Sequence, residues 1–189
     1  MQDIGYPDGG AVSINGVSES DINLNIVLKV KQLLEQSGTN VILTRSDENG
    51  IYEEDAKTIK QKKISDTKNR LKIGNESEAD LFVSIHLNKI EQSQYYGWQT
   101  FYKNSDEKGK ILAEKIQENL NQSIQRENKR LASSISEIYI IDHVEIPISI
   151  VECGFLSNSE EEKLLQDNDY QSRLAWGVYT GIMDYFMEN

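Results

Sequence analysis

In the stretch SESDINLNIVLKVKQLLEQSG, the apolar residues Ile22, Ile26, Val30, Leu33 and Leu34 recur at helical spacing. Ser18 or Ser20 can cap this helix, Glu19 and Asp21 suit the positive end of its dipole, and Gly38 ends it. NVILTR (40–45) follows as a short apolar run and is predicted as a strand. Residues 46–63 are polar without a strong period and read as a long loop leading into a second helix that ends near Glu76. ADLFVSIHLN is a further strand, and GWQTFYK is another, read as an edge. Ile111, Leu112, Ile116, Leu120 and Ile124 mark a helix over 106–126. EIYII and ISIVECGF are predicted as strands, NSEEEKLL as a helix capped by Ser157 or Asn158, and Tyr170–Phe186 as the last helix.

Alternating strands and helices predict a single α/β domain, a largely parallel twisted sheet with helices on both faces. No repeat, low-complexity tract or linker divides the 189 residues. The start of the chain departs from this scheme. YPDGGAV is a glycine-rich turn of the kind that follows a buried strand, yet the residues ahead of it are too few and too polar to form one. The first strand therefore reads as missing, and the domain as N-terminally incomplete.

A net charge of -11 argues against nucleic-acid binding and against electrostatic attraction to anionic membranes or wall polymers. An anionic substrate must be drawn in by something other than net charge. No run approaches the roughly 18 apolar residues of a membrane span, and residues 1–20 hold no signal-peptide core, although an export segment could precede the turn. Cys153, the only cysteine, rules out an intramolecular disulfide and a thiolate zinc cluster.

Of the two histidines, His86 ends a strand whose alternation puts Phe82, Ser84 and His86 on one face, at the carboxyl edge where parallel sheets keep their sites. Glu152 ends the apolar run Ile148–Val151, where burying a carboxylate costs several kcal/mol unless it is paired, metal-bound or open to a cleft. Glu19 opens the first helix just past the glycine turn. One glutamate and histidines as ligands, an open fourth position for water and a further glutamate to take its proton are the parts of a catalytic zinc hydrolase. No H-E-x-x-H helix is present, so the ligands must come from separate elements. Cys153 faces away from Glu152 and reads as a core thiol; a Cys–His hydrolase using His86 or His143 is the rival.

DGGAV…GVSESDINLNIVLKVKQLLEQSGTNVILTR, NRLKIGNESEADLFVSIHLN and IPISIVECGFLSNSEEEKLL, in this order, resemble the zinc-dependent N-acetylmuramoyl-L-alanine amidases from about Gly5 to the end of the chain. IYIIDHVEIPISIVECGFLSN and HLN are most similar to the germination-specific branch, which trims spore-cortex peptidoglycan. The resemblance implies Zn2+ held by Glu19 and His86, Glu152 as the catalytic base, and Arg70 and Asn88 in substrate binding or in orienting ligands. It also implies peptidoglycan glycan strands with stem peptides as the partner, and an exported protein of the cell wall, the spore cortex or the intermembrane space. A histidine of the family's D-x-G-H-G-G turn is missing here: Ile4 takes its place, or Asp3-Ile4-Gly5 aligns as D-x-G with a deletion. This predicts weak zinc binding unless His143 or Asp3 completes the site, and it keeps a second reading open, a catalytically impaired binding or regulatory module. An unfilled strand position further predicts a protein partner or a second copy at an open sheet edge.

Overall fold

The computed structural model describes residues 5–188. Helix α1 (Glu19–Gln36) is followed by a long irregular segment and by α2 (Ile59–Glu76), then β1 (Phe82–Asn88), β2 (Gln99–Lys103) and α3 (Glu107–Ile124). The chain continues through β3 (Ser133–Ile135), α4 (Tyr139–His143), β4 (Ile148–Phe155), α5 (Ser159–Gln166) and α6 (Asn168–Glu188). The sheet order is β1-β4-β2-β3, with β1/β4 and β2/β3 parallel and β2/β4 antiparallel. The expected single α/β domain with a mostly parallel sheet and helices on both faces is the observed one.

Alternation along the strands divides the sheet into two faces. Ile85, Leu87, Val151 and Cys153 join Ile22, Ile26, Leu112, Ile116, Leu174 and Val178 in the larger core under α1, α3 and α6. Phe82, Phe101, Ile148 and Ile150 pack with Leu71, Ile140, Ile141 and Val144 in a smaller core under α2 and α4. Helices α3 and α6 approach closely through glycine: a Cβ on Gly181 would lie 2.5 Å from the Ile116 Cα. Local chemistry sets the helix ends. Asn158 caps α5 by accepting from the Glu160 and Glu161 N–H groups, and Thr58 with Gln61 forms a capping box on α2. Ser18 is the N-cap residue of α1, but its hydroxyl donates to the Gly9 carbonyl and accepts from no backbone N–H of the helix.

Three expectations are corrected. Residues 40–45 form no strand, because a groove of about 590 Å³ separates them from β1 and leaves them without a ladder to join. Val30, Leu34, Val41, Leu43, Phe82 and Ile182 are among the residues lining it. EIYII is not a strand but runs into α4, whose Ile140 and Ile141 are buried in the smaller core, while Ser133–Ile135 takes the place beside β2. β2 is interior, paired on both sides by β4 and β3. β1 is an edge strand among the described residues. The proposed alignments of Asp3 and Ile4 lie outside the described residues.

Candidate active site

The site forms where the smaller-core face of the sheet reaches its carboxyl end. Successive rungs on this face are Phe82 with Ile148, Ser84 with Ile150 and Phe101, and then His86 with Glu152 and Gln99. Partners across a rung share a face, so the apolar core gives way within one rung to three polar side chains in a row. α1 starts at the same edge. Glu19, 1% exposed, reaches β1 with Oε1, which accepts from the Leu87 N–H at 3.1 Å and lies 3.1 Å from His86 Nδ1; its Oε2 accepts from the Ala11 N–H at 2.7 Å. The carboxylate thus ties the glycine turn to the sheet. Turn geometry holds the other end: the Asp8 carboxylate accepts from the Gly10 N–H and pairs with Lys63 at 2.8 Å.

Burial alone would raise the Glu19 pKa, but the His86 hydrogen bond and charge, with the Ala11 and Leu87 amides, hold it below the usual carboxylate range. Glu152 shifts the other way. Burial pushes its pKa up, opposed by His86 and reinforced by the Glu19 charge, and its Oε2 is buried with no hydrogen-bond partner. The environments of the two carboxylates on neighbouring elements thus push their pKa values in opposite directions, Glu19 down and Glu152 up.

The donor set fits a divalent metal in part. Ligand bonds of about 2.0–2.2 Å at a tetrahedral angle put two donor atoms roughly 3.3 Å apart, close to the 3.1 Å between Glu19 Oε1 and His86 Nδ1. His86 Nε2 meets the Ser84 hydroxyl at 2.9 Å, which anchors the far side of the ring. Ser84 was visible in the alternation of LFVSIHLN, but its bond to the ring was not. Among the described residues no group of three or more His, Cys, Asp or Glu side chains is arranged to hold a metal.

His143 does not join the site. It ends α4 ahead of β4, exposed, with Nδ1 bonded to the Tyr139 carbonyl at 2.8 Å and its ring stacked on Tyr139. Cys153 is buried in the larger core with its pKa pushed up by burial, so the Cys–His arrangement has no exposed thiolate. Arg70 lines the groove with Ser84 and His86, its Nε on Asp66 and its Nη1 on the Thr44 hydroxyl at 2.8 Å. Asp66 also accepts from the Ile51 N–H at 2.7 Å, so Arg70 clamps residues 44–51 to α2. Asn88 ends β1 opposite Phe155, half-buried, and its carboxamide has no partner among the described residues.

The family profile described as N-acetylmuramoyl-L-alanine amidase matches residues 4–184. The chain belongs to this amidase family. It is 36% identical over 184 residues to the germination-specific N-acetylmuramoyl-L-alanine amidase of Bacillus subtilis strain 168, covering 97% of this chain and 77% of that one. Among solved structures it resembles the CwlD amidase of Clostridioides difficile, determined in complex with the GerS lipoprotein, at 45% identity and a TM-score of 0.95 over 98% of this chain and 95% of that one. The catalytic domain of CwlV from Bacillus (Paenibacillus) polymyxa var. colistinus superposes with a TM-score of 0.83 at 30% identity, over 98% of this chain and 95% of that one. These relatives are amidases, which favours the enzyme reading over the impaired module.

Proposed function

We propose that the protein is a zinc-dependent peptidoglycan hydrolase that cleaves the amide between the lactyl group of N-acetylmuramic acid and the L-alanine of the stem peptide. The observation that carries this reading is the rung that places His86, with Glu19 at 3.1 Å, beside a buried Glu152 carboxylate with no partner for Oε2. Glu19 and His86 would hold the metal, with Ser84 orienting the imidazole. Bound zinc supplies a Lewis acid for the scissile carbonyl and lowers the pKa of the attacking water. Glu152, its pKa raised by burial, accepts the proton of the attacking water and delivers it to the departing amine of L-alanine. Asn88 at the end of β1 offers hydrogen bonds to the substrate, and Arg70 supports the groove wall through Thr44.

The similarity to germination-specific relatives supports a role in spore-cortex maturation or germination and an exported enzyme acting in the wall, the cortex or the intermembrane space. The edge of β1, unpaired among the described residues and with an apolar groove beside it, supports strand addition by a protein partner or a second copy. No described helix is long and apolar enough to cross a membrane.

The test is hydrolysis of a muramyl peptide with zinc in excess. Glu152→Gln should lower kcat by about a hundredfold or more with zinc content unchanged, because the base is removed while the ligands stay. Retained activity, or zinc lost together with activity, would contradict the role given to Glu152.

A further inference from the structure

The catalytic row does not stop at Gln99. The Gln99 carboxamide is pinned by donating Nε2 to the Leu131 carbonyl at 3.0 Å and the Ser133 hydroxyl at 3.1 Å, and its Oε1 accepts from Arg130 Nη1 at 3.1 Å. Arg130 is fixed a second time where Nε donates to the Tyr96 carbonyl at 3.2 Å. Its guanidinium lies over the Phe155 ring, 4.7 Å from the centroid, with the Tyr95 ring at 5.8 Å. Two hydrogen bonds and an aromatic bed immobilise this half-buried cation.

What Arg130 lacks is an anion. Arg70 pairs with Asp66 and Arg126 with Glu161, but no carboxylate among the described residues lies within ion-pair distance of Arg130, and its Nη2 makes no hydrogen bond there. In a chain of net charge -11, a rigid arginine without a counter-charge beside the catalytic row is a site for an anion from outside. A fixed, planar fork suits a carboxylate, which it can bind with little further loss of side-chain freedom.

We propose that Arg130 anchors a carboxylate of the stem peptide, with Gln99 as its positioning residue; this rests on the amidase function proposed above. Adjacent strands lie about 4.8 Å apart, so a side chain held just beyond the strand next to that of Glu152 is roughly 10 Å from it. An extended peptide advances about 3.3–3.6 Å per residue. The carboxylate that Arg130 meets therefore belongs two or three residues beyond the scissile amide. This supplies the local attraction that the chain's net charge denies to an anionic substrate.

The test measures binding apart from cleavage. The probe is the tripeptide L-Ala-γ-D-Glu-L-Lys, titrated calorimetrically into the protein as the free acid and with both carboxyl groups amidated. The free acid should bind about tenfold or more tighter than the amide, Arg130→Ala should abolish that difference, and Arg130→Lys should restore part of it. A circular dichroism spectrum and urea midpoint matching wild type show that Arg130→Ala still folds; if it does not, the wild-type preference and Arg130→Lys still decide. Equal wild-type affinity for acid and amide, no measurable binding of either, or a preference that survives Arg130→Ala overturns the assignment. In hydrolysis, Arg130→Ala should raise KM with kcat within about threefold. A wild type that cleaves no muramyl peptide removes the amidase reading and leaves the binding experiment to decide Arg130.

Discussion

Glu161 stands at the first turn of α5, 1% exposed, and holds together two loops that frame the row of His86, Glu152 and Gln99. Its Oε2 accepts from the Gly97 N–H at 2.9 Å and the Phe155 N–H at 3.0 Å, while Oε1 accepts from Arg126 Nη1 at 3.1 Å. Gly97 precedes Gln99 by two residues and Phe155 follows Glu152 by three, so one carboxylate sets the approach of both strands to the site. Glu161→Ala orphans two buried amide donors, each at about 1–3 kcal/mol. The Arg126 pair, a third exposed on the arginine side and screened there, adds at most about 1 kcal/mol. Relief of the buried charge works in the other direction, because burial pushes the Glu161 pKa up despite its three donors. The net expectation is a loss of about 2–4 kcal/mol, a sizeable part of the roughly 5–15 kcal/mol that holds a domain folded.

Urea denaturation followed by circular dichroism should show the midpoint falling by about 1–2 M at a slope near 2 kcal/mol/M. Glu161→Gln keeps an acceptor oxygen for the two amides and should lose less than half as much. The pH dependence has a definite sign. With the folded pKa raised above 4.5, the unfolded chain releases this proton first as pH rises, so the contribution of Glu161 to stability falls between that value and the raised one. In Glu161→Gln this part of the slope disappears. An alanine variant within about 0.5 kcal/mol of wild type would refute the reasoning, since it would mean that water or a shifted loop satisfies both amides without cost.

Two further outcomes follow from the packing and from the orientation of the ring. A Cβ at Gly181 would meet the Ile116 Cα at 2.5 Å and its N at 2.8 Å, backbone atoms that can yield only if α3 and α6 separate, so Gly181→Ala should cost about 1–3 kcal/mol and lower Tm by several degrees in a calorimetric scan. Ser84→Ala removes the hydroxyl that meets His86 Nε2 and should weaken zinc binding about 10–100-fold, measured by competition with a chelator, with the urea midpoint nearly unchanged.

Local pattern carried much of this protein. The 3.6-residue spacing from Ile22 to Leu34 and from Leu112 to Ile124 needed only a face to bury, and α1 and α3 follow it. The apolar run Ile148–Val151 ending in Glu152, and the alternation that sets Ser84 and His86 together, survive intact because a buried strand beside another strand is what those runs can satisfy. His86 and Glu152 were legible because each breaks the pattern of its own strand, whereas Glu19, an ordinary acid at a helix start, stood out only through the glycine turn before it and the two residues it joins. NVILTR and EIYII show the limit. A strand exists only with a ladder, and whether a β-branched run finds one depends on neighbours distant in sequence; residues 40–45 face a groove, and Ile140 and Ile141 bury themselves from a helix instead. Gln99 and Arg130 carried no signal at all along the chain. Gln99 stands beside Glu152 because β2 turns antiparallel to β4, and Arg130 is left facing the row without a carboxylate because the chain between α3 and β3 folds back over Phe155. Periodicity records which side of an element is buried, whereas the neighbours of a polar side chain, and the charges it is left without, are set by register and by the path of loops.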